Sequence, residues 1–340
     1  MGYLDSFFHG YMVSLDTAVR DSRPLQEPRS FPRECDTMQD KIEHRSFNCT
    51  GRKEAMAEQP ELTEEEKQLL QQGCGGGAPA CPTVLEPNKR SNIKHVIGVV
   101  SGKGGVGKSL VTSLLASEAN RRGMKVGIMD ADVTGPSIPK AFGFANPLTA
   151  DEDGVFPGQT KSGIKLISTN LMLPAEDMPV VWRGPVVSGV VKQFFNETNW
   201  GDLDYLFVDM PPGTSDVLLT VFQSLPIDGI VTVSAPQELV AMIVGKAVNM
   251  AREMHVPVLG LVENMAYFTC PDCGNKHYIF GDPQGAAVAK RYQIPAYATL
   301  PMDPQFATLV DAGKIEQYDV EGALDPIIEQ IAETVAHKGA

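Results

Sequence analysis

The segment that most constrains this fold is the glycine-rich stretch at residues 102–109, GKGGVGKS. It matches the pattern G-x-x-x-x-G-K-[ST] in full. An apolar, β-branched run at 95–101 precedes it, and apolar residues with helical spacing follow at 109–122. Glycines allow backbone N–H groups to wrap around a phosphate, and the start of a helix adds a favourable partial charge. The sequence therefore predicts a nucleotide-phosphate loop between a buried strand and a helix.

The residues of this loop have separate predicted tasks. Lys108 is expected to reach the β- and γ-phosphates of a nucleotide, and Ser109 is expected to hold Mg²⁺. The other loop residues are expected to surround the phosphates, and they are Gly102, Lys103, Gly104, Gly105, Val106 and Gly107. ATP and Mg²⁺ are therefore the predicted ligands of this part of the chain.

Carboxylates follow two other apolar segments that are predicted to be strands. Asp209 ends the run Leu-Phe-Val-Asp and is expected to contact Mg²⁺ through water. The alternative is an acid that only caps the strand, but the tight loop at 211–216, PPGTSD, is typical of segments that sense a γ-phosphate. Asp130 and Asp132 follow the second predicted strand. One of them could position an attacking water, and either could instead be only a cap.

From residue 95 onward the chain alternates short apolar runs with helix-like stretches. Runs rich in β-branched residues are typical of strands that are buried on both faces. They lie at 95–101, 125–129, 205–208, 229–233 and 258–262. The clearest helical pattern between them is at 237–255. This alternation predicts an α/β fold with a doubly wound, mostly parallel sheet and helices on both faces.

Three segments of different character divide the chain. Residues 1–60 mix Pro, Arg, Glu and Ser without periodicity, which indicates disorder or an appendage. A true start at Met56 is the alternative for that segment. Residues 61–91 are predicted to form a short helix and a linker rich in Cys and Gly. Residues 92–340 are predicted to form the α/β domain.

Charge and hydropathy argue against two classes of partner. The 29 Lys and Arg residues against 42 Asp and Glu give a net charge of −13, so the chain repels polyanions and no nucleic-acid partner is expected. No apolar run is long enough to span a bilayer, and the N-terminus lacks the basic region of a secretory signal. The segment 325–340 is mildly acidic, unlike a basic membrane-binding helix. We therefore expect a cytoplasmic protein without a membrane partner.

Lys103 is the unusual feature of the phosphate loop. A second lysine directly after the first glycine resembles the deviant Walker A motif of the partitioning and metal-delivery ATPases. Further motifs follow in order: DADVTGPS at 130–137, WRGP at 182–185, DMPPGTSD at 209–216, ENM at 263–265 and CPDC at 270–273. Together, over residues 92–303, they resemble the Mrp/Nbp35 family of iron–sulfur cluster carrier ATPases, called ApbC in bacteria.

The resemblance implies roles for several single residues. Lys103 would cross a dimer interface to the partner subunit's nucleotide, so that ATP joins two subunits; a plain surface lysine is the alternative. Asp132 would activate the attacking water, and Lys103 and Lys108 would be the other catalytic residues. Asn264 would read the adenine edge, and the loop that ends at Asp303 would pack beside the base.

The six cysteines are too sparse for a disulfide scaffold in a chain of this length. By the resemblance, Cys270 and Cys273 would bind an iron–sulfur cluster. Because a [4Fe–4S] cluster takes four thiolates, the pair of one chain is incomplete, and a two-fold homodimer would complete it. Zinc is one alternative, since C-P-D-C-G is also a zinc-ribbon turn. A redox pair is another, which the neighbouring Gly274 and Asn275 disfavour.

The remaining cysteines and one histidine have roles that stay open. Cys74 and Cys81 flank a glycine-rich stretch that is either a plain linker or a metal-binding segment. Cys35 and Cys49 lie upstream, and their spacing does not reproduce the four-cysteine motif of eukaryotic relatives. His277 is either a further metal ligand or simply polar surface.

The predicted function is that of a homodimeric ATPase that receives a [4Fe–4S] cluster and passes it to apo-proteins. Slow hydrolysis would then serve as a conformational switch. One alternative is a zinc-stabilised switch of the positioning or partitioning type, without a cluster. A zinc-stabilised, nucleotide-dependent binding module is another. Electron transfer, as in the nitrogenase iron protein, is a weaker alternative because its ligands are widely separated single cysteines.

Overall fold

The computed structural model describes residues 84–132, 135, 137–144, 148–172, 184–213, 216–236 and 240–338. These residues belong to one compact unit. The predictions for residues 1–60, for the helix and linker up to residue 83, and for the four upstream cysteines lie outside the described residues. The division of the chain at residue 92 therefore stays a prediction, although the first described strand begins at Ser91.

The described residues contain one large sheet and a separate small hairpin. In chain order the strands are β1 (Ser91–Ser101), β2 (Val126–Asp130), β3 (Thr149–Asp151), β4 (Gly154–Phe156), β5 (Gly158–Gln159), β6 (Lys165–Ile167), β7 (Gly201–Asp209), β8 (Gly229–Ser234), β9 (Val258–Thr269), β10 (Lys276–His277) and β11 (Ala296–Pro301). The parallel strands follow the order β11-β9-β8-β1-β7-β2-β6. β5 and β10 pair antiparallel with β6 and β9, and β3 with β4 forms the hairpin.

Helices alternate with the parallel strands, as the sequence predicts. They are α1 (Lys108–Arg121), α2 (Ile138–Ala141), α3 (Gly184–Asn196), α4 (Asp216–Ser224), α5 (Val240–Glu253), α6 (Gly285–Tyr292), α7 (Pro304–Asp311) and α8 (Asp325–Lys338). The helix predicted at 237–255 corresponds to α5. α1 contacts β1, β2 and β7, whereas α8 contacts β9 and β11 at the other end of the sheet.

The central strands are buried on both faces of the sheet. All residues of β1 from Val96 to Ser101 are buried, and so is every residue of β8. Because successive side chains of a strand point to opposite faces, covering layers must lie on both sides of these strands. This confirms the predicted doubly wound α/β fold. It also explains why these strands form continuous apolar runs in the sequence.

Three strands are longer than their apolar runs indicated, and one of them is β7, which begins at Gly201 rather than at 205. β1 begins at Ser91 rather than at 95, and exposure alternates along its first five residues. β9 continues from 262 to Thr269 through residues that are partly polar. These extensions are stabilised by the backbone pairing of β1 with β7 and of β9 with β10 and β11. Such long-range pairing is not visible as a run of apolar residues in one segment of sequence.

The sheet topology places the loop that follows β1 at a favourable binding position. The chain leaves β1 for β2 on one side and later returns through β7 to β8 on the other side. In open α/β sheets, ligands bind outside the carboxyl ends of the strands where the strand order reverses in this way. Asp130 at the end of β2 lies directly opposite Asp209 at the end of β7. Both predicted acidic residues therefore lie at the same edge as the phosphate loop.

A buried carboxylate fixes β9 to its neighbours beside this edge. Glu263 is fully buried and accepts hydrogen bonds from the backbone N–H groups of Gln284 and Gly285, at 3.2 and 3.0 Å. The hydroxyl of Tyr297, on β11, donates to the same carboxylate at 2.5 Å. Burial, and then the hydrogen bond to Glu263, raise the pKa of Tyr297. These contacts anchor the start of α6 and the strand β11 to β9.

Tyr297→Phe should destabilise the fold, because it leaves an oxygen of the buried Glu263 without its hydroxyl partner. We expect the free energy of unfolding to fall by about 1.5–3 kcal/mol, the usual range for a hydrogen bond to a charged group. Urea unfolding measures this change. Tyr292→Phe is a matched control, because the Tyr292 hydroxyl donates to the neutral carbonyl of Ala241 at 3.2 Å. An equal loss in both variants would contradict a special role for Glu263.

Candidate nucleotide site and cysteine hairpin

The predicted phosphate loop connects β1 to α1 and has the backbone shape that the motif requires. Gly105 and Gly107 have φ angles of 81° and 84°, which side chains with a Cβ rarely adopt. A Cβ at Gly104 or Gly105 would meet no atom within 4 Å. The loop therefore has open space beside these backbone groups, and α1 begins with Lys108 at its end. This arrangement fits a bound phosphate group.

Lys108 is buried beside two carboxylates. Its Nζ atom lies 2.8 Å from Oδ1 of Asp209 and 3.5 Å from Oδ2 of Asp132. Despite the ion pair, this buried Nζ has no hydrogen-bond partner of suitable geometry among the described residues. A buried ammonium group with unused donors is suited to an anionic oxygen acceptor. The phosphates of a nucleotide would supply such acceptors.

Asp209 joins β7 to the first turn of α1. The hydroxyl of Ser109 donates to its Oδ2 at 2.6 Å, and that of Thr112 donates to its Oδ1 at 2.8 Å. The side chain of Asp209 is fully buried. A carboxylate and a hydroxyl that lie this close offer the hard oxygen ligands that Mg²⁺ prefers. Ser109 and Asp209 therefore fit the predicted magnesium site.

The structure distinguishes the two acids that follow β2. Asp130 is buried and accepts hydrogen bonds from the Ser168 hydroxyl at 3.0 Å and from the backbone N–H of Asp132 at 3.2 Å. Burial, followed by the neighbouring negative charge of Asp209, raises the pKa of Asp130 well above its usual value. Asp132 is partly exposed and faces the Lys108 ammonium group. Asp132 is therefore the more accessible of the two carboxylates.

Asn264 lies on β9 against the phosphate loop. Its Nδ2 atom donates to the carbonyl of Val106 at 3.0 Å, and a Cβ at Gly107 would lie only 2.2 Å from that atom. Asn264 therefore supports the loop backbone. Its Oδ1 atom is buried and has no hydrogen-bond partner among the described residues. A contact of Asn264 with an adenine stays a prediction.

The remaining predicted site residues have separate positions. Lys103 is exposed. A Cβ added at Gly102 would lie 2.2 Å from Cγ2 of Ile243, so α5 packs closely on the start of the loop. Asp303 caps α7 by accepting from the Gln305 N–H at 2.8 Å, and it also accepts from the Tyr318 hydroxyl at 2.7 Å. These contacts give Asp303 a structural role, and its position beside a base stays a prediction.

Sequence reasoning missed Thr112 and Ser168 as parts of this site. Thr112 follows Lys108 by one helical turn, which places both side chains on the same face of α1. That spacing was a usable signal, because a polar residue on the buried face of a helix needs a partner. Ser168 carries no such signal, since its contact with Asp130 depends on the pairing of β6 with β2.

Cys270 and Cys273 lie on the cysteine hairpin, which we define as residues 268–277. The backbone N–H of Gly274 donates to the Cys270 carbonyl, and the Cys270 N–H donates to the Asn275 carbonyl, both at 2.9 Å. Cys273 is exposed and Cys270 is partly exposed. Hydrogen bonds from the backbone N–H groups of Cys273 and Asp272 lower the pKa of the Cys270 thiol. The pair thus lies in a turn, as the adjacent Gly274 indicated, rather than at a helix start.

His277 and three apolar residues accompany the cysteine pair. The ligand atoms of Cys270, Cys273 and His277 all lie within 4.8 Å of one another. The next three residues have large exposed side chains, with 46%, 59% and 51% of the surface accessible; they are Tyr278, Ile279 and Phe280. The metal-ligating groups of the cysteine hairpin are therefore followed directly by an exposed apolar surface. No helix in the described part of the chain is long and apolar enough to cross a membrane.

The fold and the phosphate loop define a P-loop NTPase. The archaeal cell division ATPase MinD from Pyrococcus furiosus has the same fold, with a TM-score of 0.51 and 19% identity over 71% of this chain and 99% of that chain. Residues 92–336 match the family model described as ParA: NUBPL iron-transfer P-loop NTPase. The chain belongs to this family of iron-transfer P-loop NTPases.

Relatives of much higher identity agree with that family. An iron–sulfur cluster carrier protein from Clostridium perfringens is 47% identical over 262 residues, which is 75% of this chain and 92% of that protein. A probable cytosolic Fe–S cluster assembly factor from Schizosaccharomyces japonicus is 39% identical over 68% of this chain and 41% of that protein. A nucleotide-binding protein from Archaeoglobus fulgidus, solved in complex with ADP and with Co, is 43% identical. Its TM-score is 0.61 over 67% of this chain and 89% of that chain.

Asp130→Asn should change how stability depends on pH. Because the folded state raises the pKa of Asp130, this carboxyl group stabilises the fold fully only below its unfolded pKa of about 4. That stability is lost as the pH rises through the raised pKa, by about 1.4 kcal/mol for each pH unit. The amide that replaces the carboxyl group does not titrate, so the variant does not lose this stability. Its side-chain oxygen can still accept a hydrogen bond from the Ser168 hydroxyl. We therefore expect the variant to gain stability over the wild type as the pH rises above 4.

Urea unfolding of both proteins at several pH values measures this difference directly. Subtracting the free energy of unfolding of one protein from that of the other removes the contribution of all other titrating groups. A stability difference that does not change with pH would contradict a raised pKa at Asp130.

Proposed function

We propose that this chain binds and hydrolyses ATP as a homodimer, holds a [4Fe–4S] cluster between the cysteine pairs of two subunits, and transfers it to apo-proteins in the cytoplasm. The observation that carries the proposal is the accessible pair Cys270 and Cys273 on a hairpin that continues from β9. The same strand contacts the phosphate loop through Asn264. The names of the relatives as iron–sulfur cluster carriers support a cluster as the cargo.

The nucleotide is expected to occupy the space beside the phosphate loop. Lys108 then exchanges its contact with Asp209 for the β- and γ-phosphate oxygens. Ser109 and Asp209 would hold Mg²⁺, Ser109 directly and Asp209 through water. When bound there, Mg²⁺ would supply positive charge beside the phosphate oxygens.

Asp132 is the proposed residue for positioning the attacking water. It is the accessible carboxylate next to the Lys108 ammonium group, whereas Asp130 is buried and hydrogen-bonded. A general base must lie within hydrogen-bonding reach of the proton that it takes. In the proposed nucleotide site, Asn264 also reads the adenine edge, and Asp303 lies beside the base.

The cysteine pair supplies half of the ligands that a [4Fe–4S] cluster needs. A two-fold axis through the cluster makes the same patch of both subunits contribute, so four thiolates become available. Two features of the cysteine hairpin and one of the residues that follow it support this arrangement. The sulfur atoms are accessible, backbone N–H groups favour the Cys270 thiolate, and the exposed apolar residues next to it offer contact surface.

Slow hydrolysis is expected, because the nucleotide would act as a switch for subunit docking rather than as a fuel for continuous turnover. ATP that bridges two subunits through Lys103 would bring the two cysteine pairs together. Hydrolysis would separate them and release the cluster to a client. A fast steady-state ATPase rate that does not respond to the cluster would contradict this coupling.

Replacing both hairpin cysteines should abolish specific cluster binding. After anaerobic reconstitution with iron and sulfide, we expect about four irons per dimer in the wild type and no specific iron in Cys270→Ala/Cys273→Ala. The measurements are visible absorbance, iron per dimer, and zinc on the protein as purified. Both thiolates of a pair are needed because the two subunits together supply only four. Tightly bound zinc without specific iron uptake would overturn the carrier function and favour a zinc-stabilised ATPase switch.

The matched control for this experiment keeps the hairpin and removes the other cysteines. It is the variant in which the four upstream cysteines are changed to alanine, and these are Cys35, Cys49, Cys74 and Cys81. It should retain about four irons per dimer. ATP binding should be unchanged in both variants, which separates loss of the cluster from loss of folding.

Lys103→Ala should weaken the dimer that ATP induces. With Mg²⁺ and a non-hydrolysable ATP analogue, we expect the dissociation constant of the dimer to rise at least about tenfold, or about 1.4 kcal/mol. Sedimentation velocity over a range of protein concentrations measures this constant. Lys161→Ala is the control, since Lys161 is also exposed but lies outside the phosphate loop. Dimerisation of Lys103→Ala at the wild-type constant would contradict a lysine that crosses to the partner subunit.

A further inference from the structure

The cysteine hairpin carries a third metal-ligating side chain from the same chain. His277 lies on β10 and pairs with Phe268, two residues before Cys270. Its ring nitrogen and the two sulfur atoms all lie within 4.8 Å of one another. These three residues are the group of candidate metal ligands found in the described part of the chain. Their proximity is produced by one turn and does not require a second subunit.

The distances between these ligand atoms are close to those around a single tetrahedral ion. Metal–sulfur bonds of about 2.3 Å and metal–nitrogen bonds of about 2.0–2.1 Å place ligand atoms about 3.5–3.8 Å apart. The present separations, up to 4.8 Å, thus need a contraction of about 1 Å. Cys273 and His277 are both exposed, so rotation of their side chains can supply it. The hydrogen bonds between Cys270, Gly274 and Asn275 keep the turn itself in place.

A histidine is not needed for the cluster of the proposed dimer. Two subunits already contribute four thiolates, and a [4Fe–4S] cluster accepts four. His277 is therefore an additional ligand if the hairpin serves the cluster alone. In contrast, two thiolates and one imidazole from one chain are a donor set typical of mononuclear sites that keep a fourth position open.

We propose that Cys270, Cys273 and His277 of a single chain bind one divalent transition-metal ion, such as Zn²⁺, Co²⁺ or Fe²⁺, with the fourth position open. Binding releases the two thiol protons to solvent and involves no electron transfer. The site uses the same cysteine pair as the proposed function, but it needs neither the cluster nor the dimer nor a nucleotide. A single ion and the shared cluster therefore compete for the same two thiolates.

Titration with Co²⁺ tests this site, because tetrahedral thiolate-bound Co²⁺ absorbs visible light. The protein is the full-length chain with the four upstream cysteines changed to alanine, studied anaerobically without nucleotide. We expect saturation at one Co²⁺ per chain, and displacement of the colour by one equivalent of Zn²⁺. His277→Ala should weaken Co²⁺ binding at least about tenfold, as loss of a metal-supporting residue does.

Two further variants accompany this titration: a control beside the site and a variant that lacks one thiolate ligand. Lys276→Gln alters the neighbouring residue of β10, whose ammonium group lies over the Tyr267 ring at 3.9 Å, and it should leave the Co²⁺ affinity unchanged. Cys273→Ala should abolish the thiolate charge-transfer band. The side chains of Cys273, Lys276 and His277 are all exposed, so these substitutions should leave the fold intact. Saturation at one Co²⁺ per two chains, or an unchanged affinity in His277→Ala, would overturn the proposal.

Reconstitution of His277→Ala with iron and sulfide separates this proposal from the carrier function. The variant should still hold about four irons per dimer, because all four thiolates remain. Loss of that iron would overturn the assignment of His277 to a single-ion site that is distinct from the cluster. Conversely, absence of a cluster in the wild type would contradict the carrier function and leave the Co²⁺ result intact.

Discussion

The burial of the Asp209 carboxylate is the constraint on which the nucleotide site depends. An ionised carboxylate inside a protein is very costly unless charge and hydrogen bonds compensate it. At Asp209 the compensation comes from Lys108, Ser109 and Thr112, all in the first turns of one helix. Each of these contacts joins α1 to β7. That strand lies next to β1, which leads into the phosphate loop. The position of the loop is therefore determined by the same charge that is expected to assist Mg²⁺.

A second carboxylate at the same edge behaves differently because its surroundings differ. Asp130 lies opposite Asp209 in the sheet but has a hydroxyl and a backbone N–H as its hydrogen-bond partners. Two negative charges on adjacent strands repel each other, and burial adds to that effect. The neutral form of Asp130 relieves both costs. Of the two acids that follow β2, Asp130 is thus the buried one, and Asp132 is the accessible one.

The sequence predicted those parts of the structure that local patterns encode. The phosphate loop, the buried parallel strands and the position of Cys270 and Cys273 in a turn all follow from short-range features. The different surroundings of Asp130 and Asp132 did not, because the burial of Asp130 beside Asp209 depends on the register between β2 and β7. The extended ends of β1, β7 and β9 were missed for a similar reason. Their partly polar residues gain order from pairing with distant strands, and no single segment displays that pairing.

The length of β9 has a consequence for how ATP and metal can influence each other. From Asn264 to Cys270 the strand covers six residues, or about 20 Å at roughly 3.3 Å per residue. Charges separated by that distance near the surface are almost fully screened, since the Debye length in 0.1 M salt is about 10 Å. Loss of a phosphate therefore has little direct electrostatic effect on the sulfur atoms. Within one subunit, a signal between the two ends can travel as displacement of β9, and Met265, with its φ of 57°, is the irregular point along that path.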